Sequence, residues 1–227
     1  MIALRKRLGQ GGPIVATFTI VPSVEVVQLI ALAGFEAVVL DTEHGPYGVE
    51  SLPPLIAALH ARAAYAIVRV RENSAAWIGG ALDAGADGIL VPQVGSRREA
   101  EAAVAAARFA PLGRRGANSW VAGADFGGDA GWFAAANESV AVIVMIEGTE
   151  GVAAAAEIIA TPHLDGVFLG PMDLSHALGV PGEIGHPAGV GANAWFERGV
   201  GLVGLGVDTG LILAGLRQVR AAALPGA

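Results

Sequence analysis

Cysteine is absent from the 227 residues, and lysine occurs once, as Lys6. The first absence excludes disulfides, thiolate metal sites and a cysteine nucleophile. The second bears on carbonyl chemistry, because an imine needs a desolvated lysine inside a pocket. Lys6 lies in a polar N-terminal stretch, so any such chemistry here must proceed without a Schiff base. Long apolar runs are missing as well. No stretch of about 18 apolar residues escapes interruption by glycine, proline or charge, so no membrane span is read. The opening "MIALRKRLGQGGP" has basic residues but no apolar region or cleavage site of a signal peptide, and a cytoplasmic location is expected. Charged residues make up 15% of the chain and sum to −7. With no basic stripe to neutralise phosphates, nucleic acid is not an expected partner.

What is present is a 53% hydrophobic chain in which short β-rich runs alternate with alanine-rich helical stretches. The strand candidates are 14–20, 37–41, 66–70, 88–94, 141–147, 165–171 and 201–208. Helix-like segments cover 23–33, 49–62, 74–84, 97–108, 150–160 and 210–223. The runs are apolar on both faces, as strands covered by helices should be. This βα repetition predicts an α/β fold with a parallel sheet, open or closed into a barrel, in one domain over 1–227. A (β/α)8 TIM barrel usually takes about 250 residues. Seven strands are counted, and the glycine-rich stretch 183–200 stands where another strand and helix belong, so the seventh βα unit is read as shortened or missing. The long glycine-rich stretch 112–132 reads as a lid, a binding loop or a mobile segment.

The run "VVLDTEHGPYG" (38–48) ends a buried strand on Asp41, Glu43 and His44. Polar residues close the other runs too: Arg69, Gln93, Glu147, Asp173 and Asp208. In a parallel barrel all these ends open on one face, where active sites form. Glu147 and Asp173 close neighbouring runs, so their carboxylates could share a cation. Two carboxylates with waters make a hard oxygen site suited to Mg2+ or Mn2+, with Co2+ a further candidate. The alternative is that both are helix caps or acceptors for loop amides. Arg69 could serve a carboxylate or a developing oxyanion, or pair with Glu43 or Glu72. His44 is the natural base, with Asp41 or Asp83 as its orienting carboxylate. His60 and His163 read as structural, whereas His176 and His186 fall in loops without an assigned role. After "GPMD", backbone N–H groups at a helix start favour an anionic oxygen, which beside a cation would suit a 2-oxo acid.

Taken in order, "LDTEHGPYGVESL", "VRVRENSAAWIGGALDAGADGILVPQV", "RFAPLGRRGANS", "VMIEGTEGV", "DGVFLGPMDLSHALGVPGEIGHP" and "LGVDTGLIL" resemble the HpcH/HpaI family of metal-dependent class II pyruvate aldolases. That family includes 4-hydroxy-2-oxoheptanedioate aldolase and the 2-keto-3-deoxy sugar-acid aldolases. The resemblance implies a barrel assembled as a homo-oligomer, trimer or hexamer. It implies a catalytic histidine at His44, a transition-state arginine at Arg69 that also binds substrate, and Asp83 as the carboxylate raising the histidine's basicity. Metal ligands fall on Glu147 and Asp173, and amides around Gly170, Met172 and Asp173 take the substrate carboxylate. The chain departs from a family member at Met145, where a substrate-holding glutamine is replaced by a thioether. The implied reaction is aldol cleavage and condensation of 4-hydroxy-2-oxo acids, giving pyruvate or a close relative such as hydroxypyruvate plus an aldehyde. Acceptor specificity is expected from 112–132, the residues after His44 and neighbouring subunits. Two other readings are a lyase on a related acyl-CoA or 2-oxo acid, and a barrel that binds a 2-oxo acid without turnover.

Overall fold

The computed structural model describes residues 1–129, 131–182, 196–197 and 199–223. Its strands are β1 (Ile14–Thr19), β2 (Ala37–Asp41), β3 (Tyr65–Arg69), β4 (Gly88–Val91), β5 (Ala141–Ile146), β6 (Gly166–Leu169) and β7 (Leu202–Val207). Its helices are α1 (Leu4–Gly9), α2 (Val24–Leu32), α3 (Leu52–His60), α4 (Ala75–Asp83), α5 (Arg97–Ala107), α6 (Trp132–Ser139), α7 (Thr149–Ala153), α8 (Ala155–Ile159), α9 (Pro171–Ala177) and α10 (Asp208–Ala223). Serine caps start three of them: Ser23, Ser74 and Ser96 each accept the backbone N–H three residues on, which satisfies a donor the helix cannot. None of the described helices is long and apolar enough to cross a membrane.

The strands pair in parallel throughout the described residues, in the order β6-β5-β4-β3-β2-β1-β7. The sheet curls strongly. Phe18 of β1 and Phe168 of β6 meet with ring centroids 6.0 Å apart. Five strand spacings of a flat sheet would separate them by about 24 Å. Residues alternate between two cores, as period-two side chains must. Val38, Leu40, Ala66, Val68, Val142 and Val144 face the outer helices. Ala37, Val39, Tyr65, Ile67, Ala141, Ile143 and Met145 fill the concave interior.

Among the described residues the (β/α)8 TIM barrel expected from the sequence, with its seventh βα unit shortened or missing, is not a closed ring. The sheet has seven strands, and β6 and β7 are its unpaired edges among the described residues. Closure needs strand number, tilt and stagger to agree around the ring, and among the described residues the two edges have no ladder between them. Most of the stretch read as the shortened seventh unit, including His186, lies outside the described residues. The helices α1 and α6 have no counterpart among the expected segments, and His176 belongs to α9, the helix after the Gly-Pro turn, rather than to a loop.

The ends of the strands opposite the polar rim are locked by ion pairs. Arg108, fully buried, reaches the carbonyls of Asn137 and Val140 at 2.9 and 2.8 Å and pairs with Asp165. His60 at the end of α3 contacts Asp87 at 2.8 Å. The hydrogen bond to Asp87 is the main cause that raises the His60 pKa above its ordinary 6.5, against an opposing effect of burial. The sign follows from linkage: stability from this pair is complete below the ordinary value and is lost as pH rises through the raised one. Denaturant titrations of the wild type and His60→Gln should therefore differ most below about pH 6.5 and draw together as pH rises above it. A difference that grows with pH would contradict this.

Candidate active site at the C-terminal strand rim

The interior alternation places the polar strand ends. Asp41 continues the inward positions of β2, and Arg69 those of β3; the two are register partners in the parallel ladder. Glu147 follows the inward Met145 directly after β5. Arg69 and Asp41 are both buried. The Arg69 Nε donates to Asp41 Oδ1 at 2.9 Å and Nη2 donates to Oδ2, a two-pronged pair of fixed geometry. A third nitrogen, Nη1, lies 3.1 Å from Glu43 Oε2. A guanidinium has five N–H groups, so donors remain for a ligand. Burial opposes the Arg69 charge, but the hydrogen bonds to Asp41 and the charges of Asp41, Glu43 and Glu147 outweigh it and raise the pKa.

Glu147 is the focus of the site. Its Oε1 accepts the Gln93 backbone N–H at 2.7 Å, whereas Oε2 is buried and has no hydrogen-bond partner. Burial first of all, reinforced by the charges of Glu43 and Asp173, pushes its pKa up to about 7 despite the Gln93 bond and Arg69. Glu43 is also raised, mainly by burial, with Arg69 pulling the other way. The Gln93 side chain donates to Glu43 Oε1 at 3.2 Å. Gly170 packs so closely on Glu147 that an added Cβ would fall 2.5 Å from Oε2, which explains a glycine at this turn.

Three carboxylates (Asp41, Glu43 and Glu147) thus share one guanidinium, and the charge of Asp173 adds to the negative field at Glu147. This excess of negative charge, with a buried carboxylate oxygen left unpartnered, fits a hard cation. Among the described residues no three acidic, histidine or cysteine side chains converge as a preformed cage, so an ion would depend on two carboxylates, water and substrate for its coordination. Asp173 lies exposed in the first turn of α9. The amides of Met172 and Asp173 belong to that turn, where no helical carbonyl is available to them.

The remaining expected residues are less closely engaged. His44 is exposed at the rim, and its backbone N–H donates to Asp41 Oδ1 at 3.3 Å. Asp83 ends α4, a helix that runs back toward the other end of the sheet, and pairs there with Arg115 at 2.7 Å. One chain therefore does not bring Asp83 to His44. Within the 112–132 stretch, Gly123 also packs toward that end, against the Leu82 carbonyl. Asp208 has a fully occupied carboxylate, held by Thr19 and the amides of Ile20, Val21 and Thr209; it ties β7 to the end of β1. Glu43 and Gln93 received no catalytic or binding role from sequence. The inward parity of 41 and 43 was a usable signal for Glu43, but no pattern announces the backbone amide of Gln93.

Comparison with known proteins agrees with this architecture. Residues 17–195 match the HpcH/HpaI aldolase/citrate lyase family. A 5-keto-4-deoxy-D-glucarate aldolase of Escherichia coli is 39% identical over 160 residues, which cover 70% of this chain and 62% of that relative. The match thus spans less than two thirds of the relative's length. An HpcH/HpaI aldolase/citrate lyase family protein of Burkholderia cenocepacia superposes with a TM-score of 0.89 at 29% identity, covering 97% of this chain and 98% of the other. The citrate synthase SbnG gives a TM-score of 0.85 at 31% identity, with 98% of each chain covered. An HpcH/HpaI aldolase of Desulfitobacterium hafniense gives 0.87 at 26% identity over 100% of this chain and 99% of the other. The chain belongs to the HpcH/HpaI aldolase/citrate lyase family.

Proposed function

We propose that this protein is a metal-dependent class II aldolase acting on 4-hydroxy-2-oxo acids, which it splits reversibly into pyruvate, or a close 2-oxo acid such as hydroxypyruvate, and an aldehyde. The observation that carries the reading is the buried Glu147 carboxylate, its Oε2 unpartnered, set among Glu43, Asp173 and Arg69. The near absence of lysine supports it from the other side, since the imine route is closed. The likeness to a sugar-acid aldolase supports the substrate class.

Glu147 and Asp173 would hold a divalent cation, Mg2+ or Mn2+, with Co2+ also compatible with an all-oxygen site. Such an ion supplies Lewis acidity toward the keto oxygen of the substrate. Met172 and Asp173, through their first-turn amides beside Gly170, bind the substrate carboxylate. Arg69, locked by Asp41, offers its remaining N–H groups to the oxygen on which negative charge develops. In cleavage the C4 hydroxyl loses its proton, the C3–C4 bond breaks, and its electron pair moves through C2 to the oxygen, leaving an enolate and the aldehyde. A proton then returns to C3. His44, at the solvent edge, exchanges these protons, and the Asp41 contact to its backbone orients the loop that carries it. Asp83 is engaged by Arg115 in the same chain, and within one chain His44 acts without it. Met145, buried under Glu147, cannot donate the hydrogen bond a glutamine would, and substrate preference is expected to differ from glutamine-bearing relatives.

An oligomer is part of this proposal. Along α10, Leu211, Ile212, Leu213, Leu216 and Val219 are exposed, the last two at 63% and 70%. A contiguous apolar helix face of this kind marks an interaction surface, and a second copy is the partner we infer, in keeping with closed homo-oligomers. Sedimentation equilibrium should show a species larger than one chain, shifted toward monomer by Leu216→Glu. A monomer at every concentration would overturn the assembly.

The catalytic reading is tested by pyruvate release from a panel of 4-hydroxy-2-oxo acids, with and without divalent metal. EDTA should abolish release and Mg2+ or Mn2+ restore it. Arg69→Ala should lower turnover by about a hundredfold or more while the protein still binds metal. Turnover by rigorously metal-free protein, or no release from any member of the panel, would contradict the proposal.

A further inference from the structure

The two oxygens of Glu147 are not equivalent. Oε1 accepts the Gln93 N–H at 2.7 Å, and Oε2 is buried without a partner. The amide reaches Oε1 because Gln93 adopts a φ of 56°, in the left-handed region that non-glycine residues seldom occupy. One residue later the chain is back in the ladder, with Val94 N–H donating to the Met145 carbonyl at 3.0 Å. Gln93 is therefore a one-residue detour between β4 and the return to β5. An unfavourable backbone conformation persists only where its surroundings hold it, and here the hydrogen bond to Glu147 offsets the strain. The Gln93 side chain offers no comparable reason, since its link to Glu43 is long and exposed at 3.2 Å.

We propose that the Gln93 backbone amide is a cation-selectivity device: by occupying Oε1 it leaves Glu147 a single free oxygen, so that the site takes Mg2+ or Mn2+ in preference to Ca2+. The inference rests on the cation site proposed above. Mg2+ takes near-octahedral coordination at single oxygens and keeps several waters. Ca2+ collects about six to eight oxygens and commonly both oxygens of one carboxylate. Two-oxygen binding by Glu147 would make Oε1 serve the cation as well as the Gln93 N–H and weaken the hydrogen bond to a buried donor that holds the left-handed turn, which is unfavourable. Gln93 acts through Glu147 and is a positioning residue.

The test uses wild-type crystals soaked with Mn2+ or Ca2+, together with Ca2+ competition against Mn2+ followed by electron paramagnetic resonance. Mn2+ should sit on Oε2 of Glu147, with the Gln93 N–H still on Oε1, and Ca2+ should compete about tenfold less well or worse. Gln93→Gly keeps the amide and suits the left-handed region, so it should keep the preference. Gln93→Val disfavours that region through its β-branch and should narrow it. Mn2+ held by both Glu147 oxygens, equal competition by Ca2+, or a Gln93→Gly preference as narrow as that of Gln93→Val would overturn the proposal. Should Gln93→Val not fold, the wild-type crystals and competition decide alone. Mn2+ found away from Glu147 and Asp173, or nowhere, would instead sink the functional reading beneath it.

Discussion

A carboxylate pushed into the concave interior of a parallel sheet must be neutralised, hydrogen-bonded or paired with a cation. Glu147 meets this constraint halfway: one oxygen is satisfied by a backbone amide and the other is not. Its elevated pKa, about 7, records the same imbalance. The surrounding side chains do not correct it. Arg69, the one guanidinium in reach among the described residues, is committed to Asp41 through two nitrogens and lies against Glu43 through a third. The deficit of positive charge is built into the rim, and the functional reading follows from it.

The fold supplies the placement. Curling brings β1 and β6 face to face through Phe18 and Phe168, and the period-two alternation then aims every second strand-end residue into the same space. Asp41 and Arg69 are neighbours because their strands pair in register. Glu147 is two residues beyond Met145 on the same face. Gly170 leaves room for Glu147 at a point where any Cβ would collide with its carboxylate. Electrostatics at the rim thus depends on packing in the interior rather than on long-range attraction between loops.

Much of this was legible in the chain. The run at 37–41 coincides with β2, and the apolar runs elsewhere located every observed strand to within a few residues. β4 ends at Val91, before Pro92, because proline cannot donate to the ladder. Their places at the C-terminal ends of the runs put Asp41, Arg69 and Glu147 at one rim. Barrel closure was not legible, because it depends on how the two edge strands meet, a long-range property with no local signature. Asp83 was read as a possible partner for His44 from the residues, beside Asp41, and again from the family resemblance; in this chain the helix end that carries it lies toward the opposite end of the sheet, where it pairs with Arg115. Gln93 escaped because its part is played by a backbone amide in a left-handed conformation, and no side-chain type encodes that.

The central claim is that the unpaired Glu147 oxygen and Asp173 together hold one divalent ion. Titration of the metal-stripped protein with Mn2+, followed by calorimetry, addresses it without reference to any substrate. The account predicts one ion bound per chain, with binding lost in both Glu147→Gln and Asp173→Asn while each variant keeps the wild-type circular dichroism. Undiminished Mn2+ binding in either folded variant would contradict it.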